Sequence, residues 1–127
     1  MKRDMELVRK ILFAIEEQYE DTVLYNLKIE GYSRAEVAYH CKILHEAGFV
    51  SDYGAQYGGN HIYMFGVGAL TWEGCEFLDK VRQDTVWNKT KDIITQKGLP
   101  MILDVVKDVA STVIASMTEG AIKALSN

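Results

Sequence analysis

Lysine and arginine are missing from a long central stretch of this sequence, from Ile43 to Asp79. Cysteine and proline are also scarce: Cys41 and Cys75 lack CxxC spacing, and Pro100 is the single proline. Two such cysteines exclude a disulfide-rich scaffold and, with no secretion signal at the N-terminus, favour a cytoplasmic chain with reduced thiols. No run of uncharged apolar residues is long enough to predict a membrane-spanning helix.

The overall composition is that of a folded chain with an acidic balance. The 127 residues are 48% hydrophobic and 25% charged, which suits one domain with an appended helix. Residues 1–83 carry nine Lys/Arg against thirteen Asp/Glu, whereas residues 84–127 carry five of each. Because nonspecific nucleic-acid binding is mostly neutralisation of phosphates, a net charge of −4 argues against it.

Apolar periodicity and capping residues predict two helices in the first half of the chain. The first covers residues 4–18 and begins at the N-cap Asp4. The second covers residues 33–47, where Ser33 and Glu36 form a capping-box pair and Gly48 supplies the left-handed stop. Between them, residues 20–32 alternate apolar and polar side chains, which favours a strand; a short helix over residues 21–27 is the alternative.

The second half of the chain predicts a hairpin followed by helices. Strands over residues 49–52 and 61–67 enclose a glycine-rich turn at residues 53–60. Thr71 is the expected N-cap of the next helix, which continues to Gly98 with a break near Asp84. Gly98 and Pro100 form a boundary, and residues 101–125 predict an amphipathic helix.

The order helix, strand, helix, hairpin, helix is that of a winged helix. We therefore predict an α+β fold, with a winged-helix domain over residues 1–90, in which the hairpin is the wing. Residues 91–127 form a C-terminal extension that contains the appended amphipathic helix. The segment from Leu44 to Val50 resembles the junction between recognition helix and wing in many bacterial regulators, and Leu70-Thr71-x-x-Gly74 resembles the start of the helix that follows a wing.

Short motifs within residues 1–91 carry a closer resemblance. They are Met1-Lys2-Arg3-Asp4-Met5, Glu30-Gly31-Tyr32, Tyr39-His40, Leu70-Thr71-Trp72-x-Gly74 and Asp84-Thr85-Val86-Trp87. Together they resemble a phage- and prophage-associated family, the domain of unknown function 2513. Cys75 stands where that family commonly has histidine. The family has no established activity, so the resemblance implies a mobile-element origin and little about chemistry.

The helix over residues 33–47 would be the recognition helix of a DNA reader. Its side opposite the apolar face carries Arg34, Ala35, Tyr39 and Lys42, together with Ala38 and Glu46. In the major groove Arg34 would contact guanine, and Tyr39 and Lys42 would contact phosphate. An ordinary solvated face is the alternative, since acidic residues on this helix would repel phosphate.

The wing tip and the N-terminus supply the other candidate binding residues. Tyr57, Asn60 and His61 lie at the wing tip, which has no lysine or arginine and is rich in residue types found where proteins dock on proteins. The alternative is a polar hairpin turn whose tyrosines pack back on the sheet. Lys2 and Arg3 would contact the DNA backbone or an acidic partner, or form part of a solvated helix face. We therefore predict a small phage-type DNA-binding transcriptional regulator; the alternative is a winged helix that binds a protein.

Nothing in the sequence points to catalysis or to a cofactor. Nucleophile triads, phosphate-binding loops and paired catalytic carboxylates are all missing, so a non-enzymatic protein is predicted. Cys41, His45, His61 and Cys75 match no zinc spacing, and no metal site is predicted. Cys41 is expected in the core, and His40 at the core edge, bonded to a neighbouring loop.

The final helix has an apolar side that needs a partner. Its members are Ile102, Val106, Val109, Val113 and Met117. Two copies pairing through this side would form a symmetric homodimer, which is the predicted assembly. Packing into the chain's own core is the first alternative. A foreign partner or a membrane surface is the second, and the balanced charges of the helix argue against a membrane.

Overall fold

The predicted α+β class is confirmed in a computed structural model, which describes residues 1–126. Over that range the chain forms five helices and one sheet of three antiparallel strands. The helices are α1 (Met5–Gln18), α2 (Arg34–Glu46), α3 (Trp72–Val81), α4 (Asp84–Gln96) and α5 (Leu103–Ser126). The strands are β1 (Leu24–Tyr25), β2 (Tyr53–Gly58) and β3 (His61–Val67), in the order β1-β3-β2.

The chain divides into two compact units, Met1–Leu78 and a second unit that begins at Asp79. The first unit contains α1, α2, the sheet and most of α3. The second contains α4 and α5, which pack against each other. The whole of α4 therefore lies in the second unit, whereas a boundary at residue 90 would divide it. The division into a winged-helix domain over residues 1–90 and a helical extension over residues 91–127 stays a prediction.

Local capping interactions define the ends of the helices as predicted. The Asp4 carboxylate accepts hydrogen bonds from the backbone N–H groups of Glu6 and Leu7, which begins α1. The Ser33 hydroxyl and the Glu36 carboxylate each accept from the other residue's backbone N–H, a complete capping box at the start of α2. Gly48 adopts the left-handed conformation (φ 80°) that ends this helix.

The first strand of the hairpin lies at different residues from those predicted. The strand predicted over residues 49–52 and the turn predicted over residues 53–60 are both wrong, because the first hairpin strand is β2, Tyr53–Gly58. Ala55 pairs with the large Phe65 across the ladder, while Gly54 pairs with Gly66. A glycine-rich segment that lacks strand propensity is thus made a strand by the strand opposite.

The strand predicted over residues 20–32 is also corrected, since β1 comprises Leu24 and Tyr25 alone. Asn26 ends it by adopting a left-handed backbone conformation (φ 51°). Its backbone N–H donates to the Phe65 carbonyl, and its side-chain oxygen accepts from the Phe65 N–H. Asn26 therefore makes the two hydrogen bonds to Phe65 that the next residue of a longer strand would have made.

The start of α3 is fixed against the end of α2. The Thr71 hydroxyl accepts from the Gly74 N–H, as expected of an N-cap, and donates to the Gly48 carbonyl. The Thr71 N–H donates to the Phe49 carbonyl at 3.0 Å. The Phe49 and Phe77 rings lie 5.1 Å apart, so apolar packing supports the same junction.

Gly74 is required at this junction because a methyl group there would overlap the Phe49 carbonyl oxygen. We expect Gly74→Ala to lower the free energy of unfolding by about 2 kcal/mol, since overpacking outweighs the helix propensity that alanine adds. The matched control is Gly120→Ala, at an exposed helical glycine with open space around it, which should raise stability by about 0.5 kcal/mol. Denaturant unfolding measures both, and a stabilised Gly74→Ala variant would contradict the close approach.

Candidate functional site

A buried histidine holds the beginning of α1 against α2. The His40 side chain is 2% exposed, and its Nε2 accepts from the Asp4 backbone N–H at 2.8 Å. Nδ1 therefore carries the proton and donates to the Glu36 carbonyl at 2.7 Å, which makes the ring a neutral bridge. The Tyr32 hydroxyl donates to the Asp4 carboxylate. The exposed Lys2 and Arg3 directly precede this junction.

We expect His40→Ala to lower the free energy of unfolding by about 3 kcal/mol, because it leaves a cavity and removes the acceptor for the Asp4 N–H. His45→Ala, an exposed histidine of the same helix, is the control and should change stability by less than about 0.5 kcal/mol. Chemical denaturation of both variants measures the difference. Equal effects at the two positions would show that the bridge contributes nothing.

The outer face of α2 consists of Arg34, Ala35, Tyr39 and Lys42, which we call the α2 face. Arg34, Ala35 and Lys42 are exposed, and Tyr39 is half-buried with its ring edge-on to His40. Ala38, which the sequence analysis placed on this side, is buried, so that assignment is wrong. Position 38 faces inward because it lies one residue from Val37 and three from Cys41, both in the core.

Arg34 has a structural contact that the sequence analysis did not predict. Its Nη1 donates to the Tyr63 backbone carbonyl at 3.1 Å, which joins the start of α2 to β3. Pairing across the hairpin goes from Gln56–Met64 to Tyr57–Ile62, so Tyr63 is the extra residue of a β-bulge. Since β1 ends before it reaches this point, the guanidinium supplies a hydrogen-bond donor where no strand does. One N–H group of the guanidinium predicted to contact guanine is thus bonded within the protein.

Exposed aromatic side chains distinguish the hairpin. Tyr57 is 66% exposed and Tyr63 68% exposed, while Asn60 and His61 are exposed at the turn. We call these four residues the hairpin surface. None of them is lysine or arginine, and the bond from Arg34 to Tyr63 places this surface next to the α2 face. The α2 face and the hairpin surface thus form one candidate site in the first unit.

The charge of the first unit is more acidic than that of the whole chain. Residues 1–78 carry seven Lys/Arg against twelve Asp/Glu, a net charge of −5. The second unit carries seven against six, a net charge of +1. The unit that bears the candidate site would therefore repel a polyanion over long range.

The residues predicted to form a dimer interface on α5 do not share one environment. Val106 and Val113 are buried, Val109 is half-buried, and Ile102 and Met117 are 41% and 45% exposed. Because α5 packs on α4 within the second unit, Val106 and Val113 lie inside the chain's own core. The homodimer stays a prediction, and of the five residues Ile102 and Met117 are the most accessible to a second copy.

The two cysteines lie in different environments. Cys41 is buried and Cys75 exposed, and no group of three metal-ligating side chains occurs within residues 1–126. Burial raises the pKa of the Cys41 thiol to about 12. The pKa of Tyr53 is also raised to about 12, chiefly by burial and to a smaller extent by Tyr57 and Cys41.

We expect one thiol of the native protein to react rapidly with an aromatic disulfide reagent at about pH 8, because only an exposed thiolate is reactive. Cys75→Ser should abolish the fast reaction, and Cys41→Ser should leave it unchanged. Absorbance of the released thiol measures both, and addition of denaturant should expose the second group. Rapid reaction of Cys41 in the folded protein would contradict its burial.

Comparison with known proteins confirms the family resemblance. The model of the family described as "Hypothetical protein (DUF2513)" matches residues 2–100, so this chain belongs to that family. The match includes the whole of α4, whereas α5 lies beyond it. A relative from Haemophilus influenzae (strain ATCC 51907 / DSM 11121 / KW20 / Rd), named "Uncharacterized protein", is 40% identical over 120 residues, covering 92% of this chain and 98% of its own.

No solved structure matches the chain. None of the helices within residues 1–126 has the length and apolarity needed to cross a bilayer.

Proposed function

We propose that this protein is a non-enzymatic winged-helix module that docks a partner protein through the α2 face and the hairpin surface. One observation carries the proposal: the hairpin exposes two tyrosines, contains no lysine or arginine, and belongs to a unit whose net charge is −5. Tyrosine is enriched among the residues that dominate protein–protein binding energy.

The winged-helix assignment rests on element order and strand order. In the first unit α1, β1, α2, the β2–β3 hairpin and α3 follow one another, and β3 lies between β1 and β2. In this reading α2 is the recognition helix and the hairpin is the wing. Because a fold alone does not assign a partner, the choice between protein and DNA has to come from the site.

The chemistry of the site favours a protein. A helix that enters the major groove needs several phosphate contacts from Lys and Arg to gain affinity. Arg34 already donates to the Tyr63 carbonyl, which leaves Lys42 as the other basic member of the α2 face. Tyr57 and Tyr63 offer large amphipathic surfaces of the kind that pack into pockets on a protein.

Duplex DNA is the second candidate partner, as expected of a phage-type transcriptional regulator. Exposed Lys2, Arg3 and Lys42 favour it, because these three side chains are accessible to phosphate. A DNA reader would use them together with Arg34, and its affinity would fall steeply as salt is raised.

Photo-crosslinking in the native host tests the proposal, with benzoylphenylalanine replacing Tyr57 or Tyr63 in turn. We expect each to yield the same protein adduct, whereas the matched replacement of Trp72, an aromatic on α3 that is 77% exposed, should not. Titration of the purified partner should then show that Tyr57→Ala and Tyr63→Ala each weaken binding about tenfold and Trp72→Ala does not.

The same protein titrated with random duplex DNA at about 50 mM and about 200 mM salt distinguishes the second candidate. We expect no salt-sensitive binding. Affinity that falls steeply with salt and is reduced by Lys42→Ala, with no specific adduct from the hairpin, would replace the protein partner with DNA.

A further inference from the structure

The outer edge of β2 carries backbone groups that the sheet leaves unpaired. The Gly68 N–H donates to the Asp52 carbonyl at 2.8 Å, which makes this a hydrogen-bonded pair at the start of the hairpin ladder. Bonded pairs alternate in antiparallel sheets, so Gly54 and Gln56 bond to β3, and Tyr53 and Ala55 direct their N–H and C=O groups away from the sheet. The bonds between Phe65 and Asn26 on the other edge of β3 fit the same alternation.

Protein edge strands normally carry features that prevent another strand from pairing with them, such as charged residues or proline. The β2 sequence, Tyr-Gly-Ala-Gln-Tyr-Gly, contains neither. A register shift occurs between Gln56 and Tyr57, so the regular part of the edge runs from Tyr53 to Gln56. On the inner face of this part, the half-buried Tyr53 stacks on the buried Phe65, which holds the strand on the core.

A concavity of about 480 Å³ lies on the outer face of the sheet beside this edge. Gly54 and Gly66 form its floor, and Tyr25, Gln56 and Met64 are among its walls. Val23 and Tyr25 cover Gly66, but the space above Gly54 is open. A bulky side chain on a neighbouring strand can cover a glycine in this way, and it would fill the space above Gly54.

We propose that the β2 edge binds an extended segment of the partner protein as a fourth strand. The segment pairs with the backbone of Tyr53 and Ala55 and lays an aromatic or large aliphatic side chain over Gly54. It carries lysine or arginine, because Asp52 lines the concavity and residues 43–79 contain no lysine or arginine. A second copy of this unit, with the same net charge of −5, is the poorer occupant. The inference rests on the proposed protein-binding function and specifies how that binding occurs.

The test uses the full chain and a displayed library of random linear dodecapeptides, from which binders are selected and synthesised. We expect the binders to be rich in Lys and Arg. Hydrogen exchange followed by NMR should show Tyr53 and Ala55 amides exchanging rapidly in the free protein and at least about tenfold more slowly with peptide bound. The amides of Gly54 and Gln56 should be protected in both states, which gives an internal control.

Two further measurements separate strand pairing from other modes of binding. Ala55→Pro removes one outward N–H and is tolerated on an edge strand, so it should weaken peptide binding about tenfold, whereas Ala55→Ser, which keeps the N–H, should change it less than about twofold. Should Ala55→Pro fail to fold, peptides N-methylated at single positions replace it. Methylation at alternate positions should abolish binding, and methylation at the positions between should not.

Three results would contradict strand pairing at the β2 edge. Peptides that bind without slowing exchange at Tyr53 and Ala55 would overturn pairing at the edge, as would a library without binders or with acidic binders. In these cases crosslinking from the hairpin surface would still decide the proposed function independently. Protection of Tyr53 and Ala55 in the free protein, together with a dimer mass, would show that a second copy occupies the edge instead.

Discussion

The architecture of the first unit depends on the neutral imidazole of His40. It links the last residue before α1 to the first turn of α2, through the Asp4 N–H and the Glu36 carbonyl. Both bonded groups lie at helix starts, where backbone geometry is already fixed by Asp4 and by the Ser33–Glu36 capping box. A buried ring bonded at both nitrogens thus sets the position of α2, and the position of α2 decides where Arg34 can reach.

Arg34 shows how one residue type can serve either recognition or structure. At the start of a recognition helix an arginine is expected to face a ligand, but here its guanidinium bonds to a backbone carbonyl exposed by a β-bulge. The bulge and the early end of β1 create that unpaired carbonyl together. Asn26 ends β1 and bonds to Phe65 through its backbone N–H and its side-chain oxygen, and Arg34 bonds to Tyr63 further along the same strand. The Arg34 bond thus adds a polar link between α2 and the hairpin to the buried side chains of Val37, Cys41 and Phe65.

Features encoded within a few residues could be predicted from the sequence, and features that depend on distant partners could not. The caps at Asp4, Ser33 and Thr71 and the stop at Gly48 are local, and all were predicted. The β2 strand was missed because its glycines become strand only opposite β3, and the contact from Arg34 to Tyr63 spans 29 positions. The apolar side of α5 was predicted, but periodicity does not specify a partner, and Val106 and Val113 proved to be buried within the chain.

The net charge of the first unit affects whether β2, an edge strand without charged residues, pairs with the β2 strand of a second copy. Nothing in the side chains of β2 would prevent two copies from pairing edge to edge. The remainder of the first unit opposes such pairing, because twelve acidic against seven basic residues give two such units a net repulsion within a Debye length of about 10 Å. The same field attracts a basic segment. The proposed cationic partner strand is therefore consistent with the same distribution of charge that opposes self-pairing.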